Sequence, residues 1–215
     1  MASSSSPSNS GSNILNQLTA TTTTRTVSPQ LSIAPITTPA HLASLRRLNS
    51  LLLPVHYPEL FYREILTDAD AAAVSRLSWW DHICVGGIRG KVEDIDSEGR
   101  SSGGSEAEGG KRKVRVYIMT LGVLSPFRGV GVGGKLMEWL LNGGDGRGKD
   151  GREWEVVEVY AHVWEANDEA LEWYRRRGFV VEENVVHGYY RKLRPNGAKV
   201  VRWINDRERS IVMMS

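Results

Sequence analysis

Residues 114–141 read VRVYIMTLGVLSPFRGVGVGGKLMEWLL, and this run decides the fold. Val114, Val116 and Ile118 alternate with Arg115 and Tyr117, the two-residue period of a strand with one apolar face. A Pro-marked turn, a glycine loop over 128–135 and an amphipathic helix follow, the helix being expected within 126–141. Glycines leave the backbone free to turn several N–H groups into one concavity with no Cβ in the way. The helix adds its own unpaired N–H groups and the positive end of its dipole. Such a loop suits a phosphate or pyrophosphate, which points to a nucleotide-type cofactor. Gly134-Lys135-Leu136 has Leu where a P-loop needs Ser or Thr, and no acidic residue follows on a second strand as a dinucleotide fingerprint requires.

Outward from this run, the pattern predicts an α+β chain. A first strand is expected over 32–36. Thr38-Pro39 gives an N-cap followed by Pro at the first helical position. Leu42, Leu45, Leu48 and Leu52 then mark one helical face, which Pro54 ends, and a second short helix is expected over 59–66. Strands are expected over 72–79 and 82–92, around a turn at Trp80-Asp81, and over 113–124 and 155–163. A helix over 167–177, stopped by Gly178, precedes a strand starting at 179–182 and a last hairpin, 189–193 with 199–204. The result is a mixed, mostly antiparallel twisted sheet of six to seven strands with helices on both faces. It lacks the repeated βαβ rhythm of a doubly wound domain.

The folded domain is expected over 31–204. Residues 1–30 are rich in Ser and Thr and read as a disordered tail. Segments 93–112 and 142–152, rich in Gly and charge, read as flexible insertions, and 205–215 as a C-terminal tail. Net charge is only +2 over 215 residues, so no direct nucleic-acid partner is implied. No apolar stretch reaches the roughly 18 residues that span a bilayer, and no basic-then-apolar N-terminal segment is visible, so no membrane association is expected. The single cysteine, Cys84, excludes an internal disulfide and fits a reducing compartment; its apolar surroundings suggest a buried structural thiol. His41, His56, His82 and His187 have no metal-ligand spacing, and no metal is expected.

Residues 123–133 read V-x-x-P-x-R-G-x-G-x-G. With N-x-x-A-x-x-x-Y-x-x-x-G-F at 167–179, this pattern resembles the GNAT family of acetyl-CoA-dependent N-acetyltransferases. Leu53-Pro54-Val55-His56-Tyr57, the string 116–123, 160–163 and Tyr189-Tyr190 are similar to the catalytic subunits of NatE-type N-terminal acetyltransferases. The resemblance covers roughly 31–204 apart from the two insertions. It departs at Leu53 and His56, where that family usually has Phe and Arg, and 182–188 is one residue longer than its pattern.

The resemblance implies acetyl-CoA as cofactor. The backbone of Arg128, Gly129, Val130, Gly131, Val132, Gly133 and Gly134 would cradle its pyrophosphate. Leu121, Gly122 and Val123 would pair with the pantetheine arm, with an oxyanion donor near Val123. Asn167 and Tyr174 would sit beside the cofactor, Tyr174 as a candidate acid toward the thiol. Tyr117 and His162 are the expected catalytic pair, acting on the amine through a water. Alternation alone places both on the strand face opposite Val114, Val116, Ile118, Val157, Val159 and Val163. Leu53, Pro54, Val55, Tyr57, Met119, Tyr189 and Tyr190 would form a peptide groove, with Met119 in the slot for the first side chain. An α-amine, with pKa near 7.7–8.0, costs about 1 kcal/mol to deprotonate at pH 7, whereas a Lys ε-amine costs about 4.6 kcal/mol, so a modest base suffices for the former. The expected substrates are protein or nascent-chain N-termini, Met-starting with a hydrophobic or other non-basic second residue. The expected setting is the cytoplasm and also the nucleus, with a ribosome-associated NatA-type complex as partner. Acetylation of an internal Lys or a small amine, and a cofactor-binding adaptor without activity, stay open as alternatives.

Overall fold

A computed structural model describes residues 30–95, 111–148 and 150–205 of the chain. The tail 1–29, the core of the first insertion (96–110) and 206–215 lie outside the described residues. Seven strands form one sheet in the order β1-β2-β3-β4-β5-β7-β6. They are β1 (Leu31–Pro35), β2 (Ser75–Trp80), β3 (Ile83–Asp94), β4 (Arg112–Val123), β5 (Trp154–Trp164), β6 (Val180–Val186) and β7 (Ala198–Ile204). Every neighbouring pair is antiparallel except β4 and β5, which are parallel. The helices are α1 (Pro39–Leu52), α2 (Glu59–Thr67), α3 (Ala69–Ala73), α4 (Val132–Leu141) and α5 (Asp168–Arg175).

The α+β expectation holds, and the helices do cover both faces. On one face α4 and α5 pack Leu136, Met137, Leu140 and Leu171 against Val114, Val116, Ile118, Val159 and Val201. On the other, α1 and α2 pack Leu42, Leu45, Leu48, Phe61 and Ile65 against Leu77. The Thr38 hydroxyl accepts from the His41 N–H at 3.2 Å, the cap expected at α1. Arg89, only 1% exposed, lies 3.6 Å from the Phe61 ring centroid and pairs with Glu64, which ties α2 to β3.

Several boundaries differ from the sequence pattern. Ala72 and Ala73 end a short helix rather than start a strand, because the Asp68 carboxylate caps α3 by accepting from the Ala71 N–H at 2.9 Å. Pro126 lies in a 3-10 turn, Ser125–Phe127, and α4 starts only at Val132, since Gly131 takes a left-handed conformation (φ 92°) that no regular helix holds. The last hairpin joins β6 to β7; residues 189–193 belong to the connecting loop and not to a strand. The first insertion is shorter than expected, since β3 runs to Asp94 and β4 begins at Arg112. In the second, Asp145 donates its N–H to the Ala73 carbonyl and the Trp154 indole donates to the Gly143 carbonyl at 2.9 Å, so both flanks are anchored. Cys84 is half-buried on β3, and its thiol is pushed up to about 11 by burial.

Candidate active site

Two irregularities in the sheet make room for a site. The first is a bulge. Arg89 of β3 opposes Thr120 and Gly90 opposes Ile118, so Met119 is the extra residue on β4. Gly90 is fit for that close approach: a Cβ there would lie 2.9 Å from Val116 Cγ1 and 3.0 Å from the Val74 carbonyl oxygen. The bulge reverses the alternation. Val114, Val116 and Ile118 face α4 and α5, Met119 packs on the α1–α2 side, and Leu121 returns to the α4 side.

The second is a divergence of the parallel strands. β4 and β5 pair from Arg112↔Trp154 to Ile118↔Ala161 and then part. β4 continues along β3 to Gly86↔Val123, while β5 continues along β7 to Trp164↔Ala198. Residues 119–123 of β4 thus have, among the described residues, a partner strand on one side only. In an antiparallel ladder alternate residues turn their N–H and C=O away from the partner. The wedge so opened can accept an extended chain that hydrogen-bonds like a strand.

At the mouth of this wedge lies the glycine loop. Gly129 (φ 78°) and Gly131 (φ 92°) both need the left-handed region, and a Cβ on either would meet nothing within 4 Å. They face open space, as a cradle for an anion should. Arg128 folds back, its Nε donating to the Val123 carbonyl at 3.1 Å. No acidic residue stands in the first turn of α4, so its free N–H groups are not screened by a carboxylate. A Cβ on Gly133 would lie 3.3 Å from Trp173 and 3.6 Å from Val123, so α4, α5 and the end of β4 meet there. The donor set fits the diphosphate and pantetheine amides of acetyl-CoA. Val132 itself is buried in the core, so only its backbone can contribute.

Beyond the wedge an aromatic cage closes the α1–α2 side of the sheet. Tyr117 stands directly opposite Tyr160 on β5, their rings stacked at 4.9 Å. His162 lies two residues further along β5, edge-on to Tyr117 at 5.5 Å. Tyr189 reaches in from the β6–β7 loop, stacks on His162 at 4.4 Å and shares a 2.6 Å hydroxyl–hydroxyl hydrogen bond with Tyr117. Tyr190 fixes that loop by donating to the His162 carbonyl at 3.1 Å, and the Trp164 indole donates to the Pro195 carbonyl at 2.7 Å. Pro54, Val55 and His56 of the α1–α2 loop face Tyr189, Tyr190 and Lys192 across a cavity of about 270 Å³.

The electrostatics of the cage divide the two expected catalytic residues. Burial lowers the His162 pKa below its ordinary 6.5, opposed by Glu182. Its Nδ1 is buried without a partner among the described residues, so a charged ring there would carry an unsatisfied N–H. Burial, then the Tyr189 hydrogen bond, raises Tyr117 far above the phenol range. Near pH 7 His162 is neutral and able to take a proton, while Tyr117 keeps its own. Burial and the Glu93 carboxylate, which accepts from its hydroxyl at 2.9 Å, push Tyr160 up to about 12.

The sequence-predicted residues fall into three groups. Tyr117, His162, Tyr189 and Tyr190 come together in the cage, and Pro54 and Val55 line the groove beside it. Tyr57 stacks on Phe61 at 4.1 Å behind this groove; Leu53 ends α1, and Met119 packs against the α1–α2 cluster. Asn167 spends its side-chain oxygen on the α5 cap, accepting from the Ala170 N–H at 3.1 Å. Tyr174 is buried against Trp173 and Phe179. Sequence reasoning missed Tyr160, although it shares a face with His162 two residues on. It also missed the Trp173–Arg177 pair, whose four-residue helical spacing was the available signal.

The sequence profile of the Acetyltransferase (GNAT) family matches residues 42–179. N-alpha-acetyltransferase 50 of Danio rerio is 30% identical over 165 residues, 77% of this chain and 83% of that protein. The probable N-acetyltransferase san of Drosophila melanogaster is 28% identical over 165 residues, 77% of this chain and 76% of its own length. Among solved structures, Arabidopsis thaliana Naa50 in complex with the bisubstrate analogue CoA-Ac-MVNAL superimposes with a TM-score of 0.62 at 29% identity, covering 81% of this chain and 99% of that one. With the split sheet, the glycine cradle and these relatives together, the chain belongs to the GNAT family of acetyltransferases and is an N-acetyltransferase that uses acetyl-CoA.

Proposed function

We propose that the chain acetylates the α-amine of protein N-termini, with preference for Met followed by a hydrophobic or other non-basic residue. The observation that carries this reading is the cage: Tyr117 and Tyr189 joined at 2.6 Å, with His162 stacked at 4.4 Å, beside a groove walled by two loops. Relatives named as N-alpha-acetyltransferases support it, as does the solved relative that holds an analogue carrying the peptide MVNAL. The groove walls combine apolar and aromatic residues, Pro54, Val55, Tyr189, Tyr190 and Leu193, with the cations Arg191 and Lys192, which supports a substrate end that is apolar and carries no basic side chain.

Acetyl-CoA, when bound, supplies the acetyl group as a thioester. The loop 128–134 and the first turn of α4 would hold its diphosphate, and the open edge 121–123 of β4 would align its amide-bearing arm. Backbone N–H groups of that edge are the donors available to the carbonyl oxygen as it gains charge. His162, neutral by burial, takes the amine proton through a water, and Tyr117 orients that water without losing its own proton. Burial raises the Tyr174 hydroxyl well above the phenol range, so beside the cofactor it would keep its proton and would serve as a hydrogen-bond donor and not as an acid. The substrates in this reading are protein or nascent-chain N-termini in the cytoplasm and nucleus, with a ribosome-associated NatA-type complex as the proposed partner.

The test is mass spectrometry of peptides incubated with the purified full chain and acetyl-CoA. Met-Leu-starting peptides with a free N-terminus should be acetylated, and the same peptides with a blocked N-terminus should not. Unmodified Met-Leu peptides in the presence of folded protein would sink the proposal. Acetylation of Lys in blocked peptides would favour the side-chain alternative, and calorimetric binding of acetyl-CoA without any turnover would favour an inactive adaptor.

A further inference from the structure

Three consecutive arginines stand at the C-terminal end of α5 and in the turn after it, and they are not alike. Arg175 and Arg176 both pair with Glu172, at 3.7 and 2.9 Å. Arg177 has no carboxylate within ion-pair distance among the described residues. It is nevertheless held in place. Its guanidinium carbon lies 3.7 Å from the Trp173 ring centroid, and Nη1 donates to the Trp173 carbonyl at 2.9 Å. The group rests on the start of α4, since a Cβ on Gly134 would lie 3.4 Å from Arg177 Nη2. Trp173 in turn abuts Gly133, which adjoins Val123 at the open edge of β4.

This arrangement sets a cation against the positive end of a helix dipole, where a carboxylate would be the stabilising choice. No acidic residue occupies the first turn of α4, and exposed Lys135 adds a further positive charge there. A pinned cation beside free N–H groups, with no anion among the described residues to answer it, is a site waiting for one. The planar guanidinium keeps Nε and Nη2 free to bind phosphate oxygens in a fork.

We infer that Arg177 is a phosphate contact for the cofactor, clamping a CoA phosphate against the first turn of α4. The inference rests on acetyl-CoA binding at the glycine loop. The phosphate belongs either to the diphosphate or to the ribose 3′-phosphate, and the test separates them.

Isothermal calorimetry on the full chain would compare CoA with 3′-dephospho-CoA for the wild type, R177Q, R177K and R176Q. R177Q should weaken CoA about tenfold, R177K should recover part of that loss, and R176Q should bind like the wild type. If the R177Q loss disappears with dephospho-CoA, the contact is to the 3′-phosphate; if it persists, the contact is to the diphosphate. R177Q binding CoA within twofold of the wild type would overturn the inference. So would a loss that R177K does not relieve, because that marks a packing role over Trp173. A wild-type chain that binds neither ligand would refute the cofactor site itself and not this residue.

Discussion

The two halves of the site are made of different material. The cofactor half is mostly backbone: a bulged strand edge, two left-handed glycines and the first turn of α4, with Arg177 the side chain inferred to join them. The amine half is side chain: four rings from β4, β5 and the β6–β7 loop, with Tyr117 and Tyr189 in contact across 72 positions of sequence. Backbone amides present the same dipoles whatever the residue, so the first half depends on conformation. The second depends on the identity of each ring and on a loop that brings one of them home. The difference teaches that cofactor binding and amine handling should fail separately.

Breaking the conformation should give the largest effect on cofactor affinity. Gly131→Val forces a β-branched residue to a φ of 92°, where even an ordinary residue costs roughly 1–2 kcal/mol, and puts a side chain into the cradle. Calorimetry should show acetyl-CoA affinity falling at least about tenfold. Gly143→Val sharpens the comparison. It has a φ of 100° and open space around it, but it lies at the far end of α4. It should lower the melting temperature and leave cofactor affinity alone. Equal affinity losses in both variants would mean that strain, and not the cradle, was being measured.

Removing one cage hydroxyl should act on the other half. Tyr189→Phe deletes the 2.6 Å bond to Tyr117 and keeps the stack on His162. Steady-state kinetics should show the peptide KM rising about threefold, in keeping with the loss of one neutral hydrogen bond of about 0.5–1.5 kcal/mol, with acetyl-CoA affinity unchanged. The smallest effect is one of protonation. NMR titration of His162 should give a midpoint below 6.5, because burial opposes the charged ring. The folded ring then binds its proton less readily than the unfolded one, so its contribution to stability is full above 6.5 and is lost as pH falls below that value. A midpoint above 6.5 would remove the reason to treat His162 as a base at neutral pH.

The same division governs what could be read from the sequence. The glycine loop was legible because glycine spacing reports backbone conformation directly, and Tyr117 and His162 fell on one face because each lies in a regular strand. The Met119 bulge was not legible. It is set by register with β3, where Gly90 lets the backbones close, and nothing within 114–123 marks the extra residue. It overturns the alternation, so Leu121 faces the side that a simple period would deny it. The start of α4 was placed too early because Pro126 is as acceptable in a 3-10 turn as in a helix. Composition alone makes 189–193 look like a strand, because Tyr189 and Tyr190 are strand-favouring residues. Their place is fixed instead by long-range bonds from Tyr190 to the His162 carbonyl and from Trp164 to the Pro195 carbonyl.

The separation of the two halves is tested most directly by measuring, on the same preparations of Tyr117→Phe and His162→Ala, the acetyl-CoA dissociation constant and the rate of acetyl transfer to a Met-Leu peptide. The account predicts a rate lower by about a hundredfold in His162→Ala, the low end of general-base contributions because the α-amine is already partly neutral, and a smaller loss in Tyr117→Phe, with dissociation constants within about twofold of the wild type. Full activity in both variants, or affinity and rate falling together, would contradict it.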